Sequence, residues 1–436
     1  MAPIKTTFLI QGQFITGVDP EVMEIMSRYT VGWLQSQLDS LVTPSTYEPP
    51  QTWAHYTAMV DAVKELNPDW KCGMYFSGAT YQRQWEPGYP ALADAELFHK
   101  PDGSVLVYDD GLPGPPPAAS RFRWWRMIDE GVRARYLAYM LAWLADTHFD
   151  GLFIDGWSPG FYASLIRTAP TGGHFGLTGG ISEGPAHTAL YWSDAMVAWT
   201  EELTTALEAE GHRVYLNGLG LTPGYSAADP DQVFLGNGQI NTARYGTGFL
   251  FEHGHRLYGD VDDFTESIAL FEAGLALDER EGFLQCYPLL FGPSGVGSAP
   301  VYTENLDLAR FYLACYLLVQ NERSYFWYYQ LSAFDPNGDT SSNGALHWSA
   351  DWDLDYGDPT GRAFSSNPET HRWRQYTRGY AVVNPTPVAQ HFKRSGTFRI
   401  WDPEDGLLVH VDESDVSTHV VLGPYSGHYF WTVGAA

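Results

Sequence analysis

Phe149-Asp150-Gly151-Leu152-Phe153-Ile154-Asp155-Gly156-Trp157 is the stretch on which the reading of this chain turns. Three consecutive apolar residues, Leu152 to Ile154, sit between two aspartates. The run is too short for a helix and is bounded by glycine, which describes a strand buried on both faces. Asp155 stands where that strand ends. In a closed parallel barrel the carboxyl ends of the strands carry the chemistry, so an acid emerging there is a catalytic candidate. The bland counterpart is a loop aspartate that caps the next turn. Asp150, at the opposite end of the strand, reads as structural. Further along, Gly248-Phe249-Leu250-Phe251-Glu252-His253-Gly254 repeats the arrangement and makes Glu252 a second acid on a buried strand.

Outward from this strand the chain alternates. Strands are expected at 6–14, 30–37 and 71–77 before it, and at 213–219, 248–252, 282–290 and 324–330 after it. Helices are expected at 19–29, opened by Asp19-Pro20-Glu21, and at 51–66, where Trp53, Tyr56, Met59, Val60, Val63 and Leu66 share one face. Others are expected at 129–144, 187–210, 262–277 and 304–320. Eight such alternations predict a TIM (β/α)8 barrel of the α/β class, and no Gly-rich dinucleotide fingerprint follows the first strand.

Two long loops interrupt the pattern. Residues 78–126 form an insertion after strand three, with 104–108 as one arm of a small hairpin, and the Gly-rich 171–184 overhangs the mouth as a lid. From 380 onward short alternating strands are expected at 380–383, 396–401, 407–411, 418–422 and 428–433. The expected division is a catalytic barrel over 1–370 and a small C-terminal all-β domain over 371–436.

The composition excludes several classes. The chain has 436 residues and a net charge of −27, from 52 acidic against 25 basic residues, which disfavours nucleic acid as a partner through simple repulsion. Only five of the cations are lysine, a balance that fits either a high-salt habitat or a coding bias. Aromatic content is 15%; flat rings suit sugar faces, and they fill cores as well. Cys72, Cys286 and Cys315 form no CxxC pair, so neither a metal framework nor a disulfide scaffold is expected, and no cofactor is implied. No apolar run reaches a membrane span. The first residues lack a signal-peptide core, so the protein either is not secreted by the general route or has lost a leader.

Several segments together resemble a known group. Phe149 to Asp155, the preceding Met127-Ile128-Asp129, Glu252, and Leu354-Asp355-Tyr356-Gly357-Asp358-Pro359-Thr360-Gly361 are similar to an uncharacterised family of glycoside hydrolase TIM barrels. Arg378-Gly379-Tyr380-Ala381-Val382-Val383-Asn384-Pro385-Thr386 and Leu422-Gly423-Pro424-Tyr425-Ser426-Gly427 resemble the β-sandwich that ends many of those chains. The likeness extends distantly to the α-galactosidase clan, where the nucleophile is an Asp after strand four and the acid/base a carboxylate after strand six. It implies those roles for Asp155 and Glu252, and a retaining mechanism. The chain departs from the clan in having Phe153 where a lysine is usual and Glu rather than Asp after strand six.

Read as chemistry, two carboxylates at the ends of two buried strands, two apart in the barrel, are what glycosidic cleavage uses, on an oligo- or polysaccharide. Strand spacing alone permits both retaining and inverting separations. Candidates for holding sugar hydroxyls or ring faces are Gln11, Gln35, Tyr75, Trp157, Asn217 and Gln285, each near a strand end, where ordinary packing is the competing reading. His253 and His255 form no metal cluster, and Asp351, Asp353 and Asp355 imitate a calcium loop but meet Tyr356 where that turn needs glycine. The alternative function is a non-catalytic carbohydrate-binding barrel, or a surface or virion component. Lyase or deacetylase chemistry would need cations or a metal cluster that the sequence does not assemble. Oligomeric state is left open.

Overall fold

The computed structural model describes residues 4–11, 20–35, 53–77, 80–81, 93–96, 123–124, 129–155, 189–219, 245–251, 257, 261–276, 280–286, 306–328, 348–361 and 371–434. Eight parallel strands follow one another in chain order round a nearly closed barrel: β1 (Thr7–Gln11), β2 (Val31–Gln35), β3 (Lys71–Ser77), β4 (Gly151–Asp155), β5 (Arg213–Leu219), β6 (Gly248–Phe251), β7 (Glu281–Cys286) and β8 (Ser324–Tyr328). A parallel bridge between Thr6 and Phe326, with Phe326 N donating to Lys5 O at 2.8 Å, joins the last strand to the first. Six α-helices are described: α1 (Pro20–Arg28), α2 (Trp53–Leu66), α3 (Glu130–Ala145), α4 (Ala189–Ala209), α5 (Val261–Leu275) and α6 (Leu306–Val319). The barrel and the separate antiparallel β region after it are the fold that the alternation predicts. None of these helices is long and apolar enough to cross a membrane.

The chain divides into two compact units, one of Leu9–Ser27 and Val31–Leu250, the other of Met1–Phe8, Arg28–Thr30 and Phe251–Ala436. In the first, strand register separates lumen from exterior. Gly73 pairs with Trp33 and Gly151, and Tyr75 pairs with Gln35 and Phe153. The Trp33 ring lies 4.6 Å from Tyr215 and 5.2 Å from Phe153. Trp33 and Tyr215 belong to strands three apart in the sheet, so their rings meet only across the lumen. Gly73 makes room for this: a Cβ there would come within 2.3 Å of the indole. The alternate residues face outward, and Phe76 packs edge-on to Trp143 of α3 at 5.5 Å.

Helix α3 begins where the sequence predicts. Asp129 caps it, its Oδ1 accepting from Gly131 N at 2.9 Å and Val132 N at 3.4 Å. Val132, Tyr136, Met140, Trp143 and Leu144 then form the buried stripe. In α2, Met59, Val60 and Val63 are buried as expected, whereas Leu66, the last residue of the helix, is 56% exposed. A short antiparallel pairing of Thr80–Tyr81 with Arg123–Trp124 ties the ends of the long insertion. The expected hairpin arm at 104–108 and the lid at 171–184 lie outside the described residues.

In the second unit α6 is apolar on every side, Leu-Asp-Leu-Ala-Arg-Phe-Tyr-Leu-Ala-Cys-Tyr-Leu-Leu-Val, and every residue from Phe311 to Val319 is buried. Such a helix must be covered all round. On one side it meets β8, with Tyr316 Oη donating to Ser324 O at 2.8 Å. On the other it meets the C-terminal β domain, built from β9 (Arg372–Tyr376), β10 (Gly379–Asn384), β11 (Gln390–Phe392), β12 (Gly396–Ile400), β13 (Leu407–Val411), β14 (Val420–Leu422) and β15 (Ser426–Thr432). A five-stranded sheet in the order β9-β10-β15-β12-β13 packs on the two-stranded β11-β14 sheet, around Val382, Phe392, Phe398, Val411, Leu422 and Phe430. Its other face rests on α6. Gly427 lies so close to the helix that a Cβ would stand 2.6 Å from Phe311 Cα, and Arg374 Nη1 donates to Leu318 O at 3.1 Å and Gln320 O at 2.7 Å. Strands β9 and β11 are additions to the five strands expected from the sequence.

The segment 351–361 bolts this domain in place. Arg310 of α6 pairs with Asp351 at 2.9 Å and lies 5.2 Å from the ring of Trp401, a residue at φ 62°. Tyr429 Oη donates to Tyr356 O at 2.6 Å, and Pro359 bridges to Tyr376. Gly357, at φ +79°, is required because a side chain there would run into Thr377 Oγ1.

Candidate functional site

The candidate residues stand at or near the carboxyl ends of the strands. Gln35, Tyr75, Phe153 and Tyr215 stand in one Cα-paired row across β2 to β5. Phe153 faces the lumen, with Tyr75 5.7 Å and Trp33 5.2 Å away. One step further along, Asp155 ends β4 in register with Ser77, which ends β3. Asp155 is the last residue of β4, two residues beyond Phe153. Asn217 follows Tyr215 by the same step on β5; it is half-buried and has a partner of its own. Ser77, the last residue of β3, is not among the residues that the sequence singles out.

Two further candidates stand on strand ends. Gln11 closes β1 and Gln35 closes β2. Within the second unit, Gln285 is the penultimate residue of β7, paired with Trp327 of β8 and only 3% exposed. One row below, Phe283 stacks on Tyr325 at 4.6 Å. A buried amide in such surroundings is held by hydrogen bonds, and Gln285 has a partner. Glu252 follows Phe251, the last residue of β6, whose ring packs against Phe271 of α5 at 6.1 Å. Glu252, Trp157, His253 and His255 lie outside the described residues.

Other reactive groups are occupied elsewhere. Cys72, Cys286 and Cys315 are free thiols and buried, and burial pushes all three well above the usual thiol range. Such thiols pack as small hydrophobes rather than act as nucleophiles. The calcium-like aspartates each serve the fold: Asp351 holds Arg310, Asp353 Oδ2 accepts from Trp348 Nε1 at 2.8 Å, and Asp355 Oδ1 accepts from Gly357 N at 3.0 Å. Among the described residues no group of His, Cys, Asp or Glu is arranged to hold a metal ion.

No protein-family model and no curated protein sequence matches the chain. Solved structures do. An alpha-amylase from Geobacillus thermoleovorans complexed with acarbose superposes with a TM-score of 0.52 at 11% identity, covering 98% of each chain. The trehalulose synthase MutB from Pseudomonas mesoacidophila gives 0.52 at 10% identity, over 98% of this chain and 99% of that one. An alpha-amylase from Malbranchea cinnamomea gives 0.52 at 10% identity, over 99% and 97%. At these identities the likeness is one of fold, and it runs through barrel and β domain alike.

Proposed function

We propose that this chain is a glycoside hydrolase that cleaves O-glycosyl bonds of an oligo- or polysaccharide by a retaining, two-carboxylate mechanism, with Asp155 as nucleophile and Glu252 as acid/base. The observation that carries the reading is Asp155 at the carboxyl end of β4 in an eight-stranded parallel barrel, the end at which barrel enzymes do their chemistry. The fold shared with two alpha-amylases and a trehalulose synthase supports the carbohydrate class. Residues 1–370 make the catalytic domain in this reading and 371–436 the accessory one.

In the first step the Asp155 carboxylate attacks the anomeric carbon while protonated Glu252 gives its proton to the departing oxygen. The glycosidic C–O bond breaks and a glycosyl ester forms. In the second step the Glu252 carboxylate takes a proton from water, which attacks the same carbon and releases Asp155. Gln11, Gln35, Asn217 and Gln285 bring neutral amides, which both donate to and accept from hydroxyls, and Tyr75 and Trp157 bring ring faces.

Aryl glycosides and oligosaccharides test this. Glu252→Gln lowers turnover by about 10² to 10⁴-fold where the leaving group needs protonation, and far less on activated aryl glycosides. Proton NMR of the first product shows the anomer of the substrate. Turnover undiminished in both Asp155→Asn and Glu252→Gln rejects the assignment, and an inverted first product rejects retention.

A further inference from the structure

Charge is segregated along the C-terminal β domain. Residues 371–401 hold six cations, Arg372, Arg374, Arg378, Lys393, Arg394 and Arg399, and no carboxylate, whereas 402–415 hold six carboxylates and neither Lys nor Arg. In a chain with twice as many acids as bases, a block of cations with no carboxylate among them calls for an account.

Four of the six are engaged by the fold. Arg374 caps the carbonyls at the end of α6, Arg378 pairs with Asp355 at 3.3 Å, Arg399 Nη1 donates to Gly406 O at 3.1 Å, and Arg372 Nη2 donates to Thr265 Oγ1 at 3.0 Å. The remaining two, Lys393 and Arg394, are exposed in the turn between β11 and β12. Among the described residues neither has a carboxylate partner. The Arg394 guanidinium lies 4.0 Å over the Trp373 ring. Trp373 is packed on Tyr380, and Tyr380 on Phe392 and Phe398, so a ladder of rings from the domain core fixes where that cation stands. His371 is beside them. Burial first, then repulsion from Lys393 and Arg394, holds it at about 4, so it is neutral at physiological pH and adds a hydrogen-bonding group but no charge.

We infer that the face formed by Lys393, Arg394, Trp373 and His371 binds an anionic glycan, with the carboxylate or sulfate of one sugar residue held by the two cations. A guanidinium already ordered on an indole loses little freedom when it grips an oxyanion. Two exposed cations match the single charge of one sugar, whereas a nucleic acid, with its closely spaced phosphates, gains affinity from a longer run of cations than this turn offers. The −27 charge does not forbid this: repulsion from remote acids fades beyond about 8 Å at physiological salt, and what the adjoining 412–415 turn fixes beside Arg394 is a backbone donor, the Glu413 N–H on Ser395 Oγ at 2.8 Å. The choice of a glycan rests on the carbohydrate reading of the barrel, but the test reads retention rather than turnover, so the failure of either reading leaves the other standing.

The full chain is run through gels containing polygalacturonate, dextran sulfate or plain dextran at about 0.15 M salt. Expected is retardation by one or both charged polymers and none by dextran; polygalacturonate alone assigns the carboxylate and dextran sulfate alone the sulfate. Lys393→Glu/Arg394→Glu weakens retention about tenfold, and the milder Lys393→Gln/Arg394→Gln weakens it with unchanged melting. Arg28→Glu is the matched control, since Arg28 is also exposed and stands over a ring, that of Trp348, at 5.5 Å; it leaves retention unchanged. Retention by neither charged polymer, retention undiminished in both double variants, or an equal loss in Arg28→Glu overturns the inference.

Discussion

Strand β4 is preceded by Asp150 and ends in Asp155, and our proposal gives these two aspartates opposite uses. At the amino end Asp150 is spent on structure. Its Oδ2 accepts from Cys72 N at 2.8 Å, its own N donates to Cys72 O at 2.7 Å, and its carbonyl accepts from Arg213 N at 2.9 Å. Lys64 of α2 and Lys71 of β3 add ion pairs at 3.0 and 3.8 Å. One residue thus ties β3, β4, β5 and α2 together. At the carboxyl end Asp155 is the last residue of β4, in register with Ser77, the last residue of β3. A parallel barrel keeps stability at one rim and chemistry at the other, so strand polarity decides what an aspartate does.

Substitution at the two ends breaks or sharpens that contrast. Asp155→Asn is the largest expected effect: turnover falls by about 10³-fold or more, equivalent to about 4 kcal/mol of barrier, while the melting temperature holds. Asp150→Ala does the reverse. It leaves the Cys72 N–H without its acceptor and Lys64 without its carboxylate, though still on His148 O at 2.9 Å, at a cost of about 2–3 kcal/mol, with kcat retained. Calorimetry and initial rates on both variants decide it; a kcat loss in Asp150→Ala as large as in Asp155→Asn would dissolve the distinction between the rims.

Gly73→Ala probes the layer between the rims. The new methyl meets the Trp33 indole in a lumen already filled by Phe153 and Tyr215, so overpacking costs about 1–3 kcal/mol. Adding Trp33→Leu restores most of it. Denaturant melts on the single and double variants measure the coupling, and additive losses would place the strain elsewhere.

The sequence carried most of the barrel because its signals there are local. Strands 71–77 and 213–219 are bounded by polar residues and turn residues, and the structure reproduces both ranges. Asp129 announces α3 by its capping chemistry. Strand β9 escaped for a physical reason. In Arg-Trp-Arg-Gln-Tyr the period of two is present, but Arg374, which reads as solvent-facing, is turned onto the carbonyl end of α6, and the contact that explains it lies more than fifty residues away. Strand β11 is three residues long, too short for any periodicity to show. The site was legible as strand ends rather than as a pocket. Asp155, Asn217 and Gln285 stand out in the sequence only by lying at or near expected strand ends, while the lumen layer of Trp33, Phe153 and Tyr215 depends on ring closure, which no local window contains.

The smallest effect returns to the amino rim. His212 opens the approach to β5, its N donating to Leu207 O at 3.0 Å behind Gly211 at φ +85°. Burial lowers its proton affinity, and the nearby charges of Glu210 and Asp150 oppose that. A histidine whose folded pKa lies below its unfolded value is protonated more readily when unfolded, so stability is full above about pH 6.5 and falls as pH drops toward the depressed value. His212→Gln therefore flattens the loss of melting temperature between neutral and mildly acidic pH. Asp150→Asn steepens it, because removing the negative charge leaves burial less opposed while the amide oxygen still serves Cys72 N. His371 and His428 of the β domain, both held at about 4, add their own slope over the same window. Comparison with wild type cancels that contribution. If Asp150→Asn left the pH slope untouched, the charge on Asp150 would act on its lysines alone, and the amino rim would be held by contacts that do not titrate in this range.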